Sequence, residues 1–241
     1  MALEVRLYAN YGTGEPWLAR LAIGLPELID GCKLENAARE AVKSELFLVV
    51  EAVGMAFEAL RDIEKLVTGS EGPELRLNKA YANLYGHLWQ ARKDRWQKVA
   101  AALGYNVGFI FQGDAQFERG AVAFSESHPS IDSTFIDMAR QDRATWQSAL
   151  GAIRNEHLEH RATVDPRLVR AFFRPDSARA TFDNVWNAIE EATMLLLESA
   201  LPDGVEIVEI PDEARDRACP KRYGFDVPSL RAALSEHADS A

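Results

Sequence analysis

Apolar residues recur at steps of three and four across residues 35–67: Val42, Leu46, Val49, Val53, Ala56, Leu60, Ile63 and Val67. That spacing holds them on one stripe of an α-helix. Leu48, Val50, Met55 and Phe57 widen the stripe, so the helix is expected to be buried on more than one side, at the centre of a bundle. Residues 68–75 carry two glycines and a proline and end it. A second helix is predicted over residues 78–103, with Leu84, Leu88, Ala91 and Val99 inward and Gly104 as its C-terminal stop. A third is predicted over residues 105–128, where Phe109, Phe111, Phe117, Val122 and Phe124 alternate with Gly108, Gly113 and Gly120. Ser130 or Asp132 is placed to cap a fourth helix, through Phe135, Met138, Trp146, Ala149 and Ile153 to about residue 161. Beyond Pro166 and Pro175 the helical step returns over residues 177–200, in Phe182, Val185, Ile189, Ala192 and Leu196.

At both ends the period changes. Residues 205–210 alternate apolar and polar between Gly204 and Pro211, as a strand does, and residues 3–9 alternate likewise. The two are expected to pair as a small ribbon. Residues 229–237 form a short amphipathic piece. The predicted fold is therefore all-α: an antiparallel helical bundle with minor β-strand content at the termini. Residues 1–34 read as an N-terminal arm with a short strand, 35–201 as the bundle, and 202–241 as a strand and turn segment with a short helix.

Composition narrows the function classes. With 47% hydrophobic and 27% charged residues over 241 positions, the chain has material for a sizeable core and is neither low-complexity nor mainly disordered. No apolar run approaches the roughly 20 residues that span a bilayer, and the first residues lack the pattern of a secretion signal, so no membrane partner is expected. Cys32 and Cys219 stand far apart with no metal-ligand neighbours, which fits a reducing cytoplasm. A net charge of −10 discourages sequence-independent binding to nucleic acid over a broad face, while leaving room for a local basic cleft.

One stretch concentrates chemistry. Residues 151–162 bring Arg154, Asn155, Glu156, His157, Glu159, His160 and Arg161 to the end of the fourth helix. Continuing the inward stripe from Ala149 and Ile153 reaches His157 and then His160, which points both imidazoles at neighbouring helices. Imidazole and guanidinium groups in such a place need partners. Glu156 and Glu159 can supply them at i,i+3 and i,i+4 spacing, as a purely structural network. From Arg154 to Arg179 six arginines face four carboxylates, a local net of +2 within the acidic chain.

An Arg followed at once by Asn, with a His a few residues on, late in a helical chain, resembles the signature of the HEPN superfamily. Its members are small helical bundles, many of them ribonucleases, with the motif Arg-x(4–6)-His. Arg154 and His160 fit with five intervening residues, and Asn155 matches the polar residue after the Arg. The resemblance covers the motif and, loosely, the bundle from about residue 35 to 200. It implies a metal-independent endoribonuclease of a toxin–antitoxin or defence type, generating 2′,3′-cyclic phosphate ends without a cofactor. It also implies a homodimer that brings two motifs together, an RNA or nucleotide ligand, and an antitoxin partner.

The chemistry such a site needs can be stated from the residues. Attack of a 2′-hydroxyl on the neighbouring phosphorus requires a proton acceptor, a proton donor for the leaving oxygen and a cation for the phosphorane. His160 titrates in the useful range, His157 is a second imidazole, Arg154 can grip two phosphate oxygens, and Asn155 can orient ribose or phosphate. On a straight helix Arg154 and His160 stand roughly 9 Å and about 120° apart. They share a cleft only if Arg154 reaches along the helix, if the helix bends, or if a second protomer completes the site.

Other groupings compete with this one. On the second helix Tyr85, His87, Trp89, Arg92, Lys93, Arg95, Trp96 and Lys98 interleave rings with cations. Arg92 and Arg95, together with Arg161, are candidate substrate-binding residues, since stacking plus phosphate contacts suits single-stranded RNA. The plainer and preferred account puts Trp in the core and Lys and Arg in water. Glu45, Glu51 and Glu58 on the long helix raise a di-iron bundle, but no Glu stands three positions before a His as such sites require. A metal site joining His157 and His160 to Glu51 or His87 is a weaker rival. The remaining alternative is a non-catalytic interaction or nucleotide-binding module. Lys221, Arg222 and Tyr223 lie in a charged, turn-rich stretch expected to run along the surface.

Overall fold

The computed structural model of the protein describes residues 15–68, 74–154 and 171–228. Among these the architecture is all-α: an antiparallel helical bundle with one two-stranded sheet. Helix α1 is a continuous rod of Pro16–Leu18, a π turn Ala19–Gly24 and Leu25–Gly31. Helix α2 spans Asn36–Thr68. Helix α3 runs through Glu74–Trp89, a π turn Gln90–Arg95 and Trp96–Ala102. After a 3₁₀ turn at Gly108–Phe111 come α4, Asp114–Ser127, and α5, built of Thr134–Asp142, a π turn Arg143–Gln147 and Ser148–Ala152. Helix α6 spans Pro175–Glu198. Strands β1, Glu206–Glu209, and β2, Tyr223–Asp226, pair antiparallel, with Glu206 opposite Asp226 and Glu209 opposite Tyr223.

The long helix forms where its stripe predicts. Val42, Leu46, Val49, Val53, Ala56, Leu60 and Ile63 are all buried, and α2 lies along α3 with α6 against it. The widening of the stripe holds only in part. Leu48, Val50 and Phe57 are half-buried, whereas Met55 and Phe47 face solvent, as does Val67 in the last turn. Every inward residue predicted for α3 is fully buried, and Gly104 ends that rod with a φ of +94°, a conformation that costs glycine nothing. Asp132 starts α5 by accepting the Thr134 N–H at 2.7 Å. All five inward residues of α6 are buried.

Two expectations are corrected, and a third, the pairing of residues 3–9 with β1, lies outside the described residues. Residues 105–128 are not one helix: the chain makes a 3₁₀ turn, then restarts at Asp114, because Phe109 folds its ring back over Gly120, where any Cβ would collide with it. Val122 consequently faces water. The arm assigned to residues 1–34 contains α1, whose Trp17, Leu21, Leu25, Leu28 and Ile29 belong to the core. Finally, the strand found beside β1 is β2; residues 3–9 and 229–237 lie outside the described residues.

The stretch expected along the surface is instead anchored. Tyr223 and Cys219 are buried. Phe225 rests on Gly31, Lys221 Nζ meets Glu27 at 2.5 Å, and Arg20 Nε donates to the Pro220 carbonyl at 3.4 Å. At the centre of this joint Glu190 of α6 is 2% exposed, with Arg20 Nη1 3.6 Å from its carboxylate. Burial pushes the Glu190 carboxyl up to about 7, against the opposing pull of Arg20, Arg222 and Arg215; Glu191 adds to the upward push. A carboxyl raised on folding is bound to its proton more tightly in the native state. Its contribution to stability is therefore greatest below the ordinary carboxylate value and falls as pH rises toward 7. Glu190→Gln removes that loss. Paired urea titrations at pH 5 and pH 8 should show the variant gaining on the wild type by roughly 2–3 kcal/mol over this interval; equal gains at both values would refute the assignment.

Candidate functional site

The fourth predicted helix carries the Arg-Asn motif, and its path decides where that motif points. In α5 the inward side is Phe135, Ile136 and Ala139, then Trp146, Gln147, Leu150 and Ile153. Ala149, expected inward, is only half-buried, and Leu150 takes its place. The π turn Arg143–Gln147 explains the shift, because its extra residue rotates the later turns by about 100° relative to an unbroken helix. Arg154, next to the fully buried Ile153, is half-buried. Asn155, His157, His160 and Arg161 lie outside the described residues.

A second π turn, Gln90–Arg95 of α3, faces this one. Arg92 lies within it and is fully buried, its Nη2 3.3 Å from Asp142 Oδ2 and its guanidinium carbon 4.3 Å from the centre of the Trp96 ring. Asp142 also accepts the indole N–H of Trp146 at 3.0 Å. Burial draws the Arg92 guanidinium down to about 10, and burial likewise raises the Asp142 carboxyl while Arg92 and Trp146 hold it down. Arg92 thus joins two helices inside the protein and is not placed to contact a nucleic-acid backbone, a correction of its candidate role. The aromatic and basic stretch divides as the plainer account has it for the rest: Tyr85, Trp89 and Trp96 are buried, Lys93 and Arg95 half-buried and Lys98 exposed.

Beside this pair opens a cavity of about 480 Å³ between α3, α5 and the start of α4. Arg143 builds one wall. Its Nη1 donates to the carbonyls of Ile110 (2.9 Å) and Gln112 (2.7 Å), and its Nη2 holds Asp114 at 2.7 Å. Gln147, 2% exposed, donates from Nε2 to the Ile110 carbonyl at 2.9 Å and leaves its buried Oε1 without a hydrogen-bond partner. Trp89 and Phe111 meet edge to face, 6.0 Å between centroids, with Lys93 Nζ 5.4 Å from the Trp89 ring. Gly151 admits this arrangement, since a Cβ there would lie 2.9 Å from Trp89 Cη2. Gly151 and Ala152 line the cavity, and Arg154 follows Gly151 by one turn of the same helix.

Comparisons with known proteins return nothing: no family model, no curated protein and no solved structure matches this chain.

As to metals, Glu51 and His87 line one groove between α2 and α3, but among the described residues no three His, Cys, Asp or Glu side chains gather as a ligand set. No helix among them is long and apolar enough to cross a membrane. The sequence carries no signal for Gln147 or Asp142 as interior groups; a polar residue on the turn following an apolar stripe is the only hint, and it becomes one only once the π turn is known.

Arg92→Ala strands the Asp142 charge in the interior and should destabilise the fold by about 3–5 kcal/mol in denaturant titration. Arg92→Met with Asp142→Asn, which keeps an acceptor for Trp146, should recover most of that loss. A double variant as unstable as the single would show that the ion pair is not the relevant contact.

Proposed function

We propose that the protein is a HEPN-like endoribonuclease that cuts RNA without a metal ion, acting as a homodimer. The observation that carries this reading is the position of Arg154, half-buried on α5 one turn past the cavity wall at Gly151. Arg154 follows, on the same helix, the residues that wall a space of about 480 Å³. The all-α bundle agrees with the resemblance, and the local surplus of arginine in residues 154–179 supplies attraction for phosphate in an otherwise acidic chain.

In this reading His160, with His157 as the second imidazole, removes the proton from the 2′-hydroxyl and returns one to the 5′ oxygen that leaves. The bond from the 2′ oxygen to phosphorus forms as the bond to the 5′ oxygen breaks, giving a 2′,3′-cyclic phosphate and a free 5′-hydroxyl. Arg154 neutralises the charge that builds on the phosphorane oxygens, and Asn155 orients the ribose or phosphate. A toxin or defence role and an antitoxin partner belong to the same reading. A non-catalytic interaction module is the second reading, favoured by the exposure of Phe47 and Met55 along α2 beside the groove that holds Glu51 and His87.

Purified protein should cleave RNA in the presence of EDTA, with Arg154→Ala or His160→Ala lowering the rate by about 100-fold or more while leaving the melting temperature unchanged. Cleavage that survives both substitutions would reject the roles of Arg154 and His160, and a requirement for added metal would reject the reaction class.

A further inference from the structure

Helix α2 carries a second stripe, turned outward. Ser44, Phe47, Glu51, Met55, Glu58 and Asp62 repeat at steps of three and four, which keeps them within about 80° around the helix axis. All six are exposed. Phe47 is 62% and Met55 54% exposed, so two large apolar side chains stand in water about 12 Å apart along the axis. Glu51 lies midway between them. Single exposed apolar residues are ordinary, but these two share one stripe, and a groove opens beside the second. That groove, about 570 Å³, runs between α2 and α3, where Gly54 and Ala59 leave it room by being small.

Charge selects the occupant. The groove lining holds Glu51, Glu58 and Asp62 and no lysine or arginine. Glu58 and Asp62 have only exposed i,i+3 pairs, to Arg61 at 3.4 Å and to Lys65 at 3.8 Å, which water and salt weaken. Glu51 has no ion pair among the described residues. A second copy docking here about a two-fold axis would set these carboxylates against their own mates, and like charges brought together repel. A cationic surface would meet them favourably. Two apolar points about 12 Å apart in a line match side chains two turns apart on one face of a helix, and the flexible Met55 thioether adapts to such a guest.

We propose that the α2–α3 groove docks a cationic amphipathic helix of another protein, with two large apolar residues about two turns apart and lysine or arginine flanking them. One apolar residue enters the groove beside Met55, the other packs on Phe47, and the cations meet Glu51, Glu58 and Asp62. This names the partner for the interaction reading and rests on that reading for its surface; it asks nothing of Arg154.

The probe is a synthetic helical peptide of about 18 residues, with leucine at i, i+3, i+4 and i+7 spacing and lysine elsewhere. Titrated into the isotope-labelled full chain, it should shift the amide resonances of residues 47–62 and 83–87 and saturate below about 100 μM. A scrambled peptide of the same composition should bind at least roughly tenfold more weakly. Phe47→Ser combined with Met55→Ser keeps every charge and should also cost roughly tenfold. Glu51→Lys combined with Glu58→Lys should cost as much and flatten the salt dependence. No saturation up to about 1 mM, equal binding of the scrambled peptide, or wild-type affinity in the serine variant overturns the proposal. So does a dimer of the protein alone, seen by sedimentation, that the serine variant dissociates, because the face then belongs to a second copy. Peptide binding together with Arg154-dependent RNA cleavage keeps the groove and rejects a purely non-catalytic module. Neither binding nor cleavage rejects the groove and leaves the interaction reading to another surface.

Discussion

A guanidinium with no access to water needs a carboxylate, and among the described residues Arg92 finds it in Asp142. That requirement brings the middle of α3 against the middle of α5 at one register. Sliding either helix by a turn would leave two opposite charges separately buried, a far larger penalty than any loss of apolar contact. Each partner sits within or directly beside a π turn. The wide turns let a polar side chain enter the interior from a helix whose other inward residues are apolar. They also turn Lys93 and Gln147 toward the space between the rods, where an unbroken α-helix would distribute them differently.

The cavity follows from the same geometry. Its aromatic side joins Trp89 of α3 to Phe111 of the 3₁₀ turn, its amide comes from α5, and the connection into α4 is tied down by three hydrogen bonds from Arg143. Because Arg143 is satisfied by that connection, its charge organises the wall and is not spare for a ligand. The charge left on that wall is thus smaller than the residue types alone imply: Lys93 supplies one ammonium, and the Gln147 amide is sealed inside.

Much of the fold is legible in the sequence because apolar stripes are strong signals when they repeat. Helices α2 and α6 and the α3 rod lie where their spacing puts them, and Gly104 and Asp132 end and begin elements as their chemistry dictates. The departures have physical causes. Met55 reads as inward only if hydrophobicity is equated with burial, although folded proteins keep many apolar atoms exposed. Helix α1 is hidden because Gly24 and Pro26 interrupt its pattern, and tertiary packing of Trp17 and Leu21 overrides them. The π turns leave no mark in a periodicity analysis, so Ala149 reads as inward in place of Leu150, and Arg92 reads as a solvent-facing cation. Of the candidate site, Arg154 alone among the motif's residues falls within the described ones; its neighbours rest on the sequence and the resemblance it carries.

The clasp between Arg20 and Pro220 joins positions 200 residues apart. During synthesis α1 emerges from the ribosome early, whereas the hairpin that covers its Gly31 and neutralises its Glu27 is made far later. Until then one flank of α1 has only water to face. Assembly of this corner is therefore a late, long-range event, governed by loop closure and not by local helix formation. A nascent chain stalled before residue 220 would display an unfinished seam, the kind of surface that chaperones and proteases recognise.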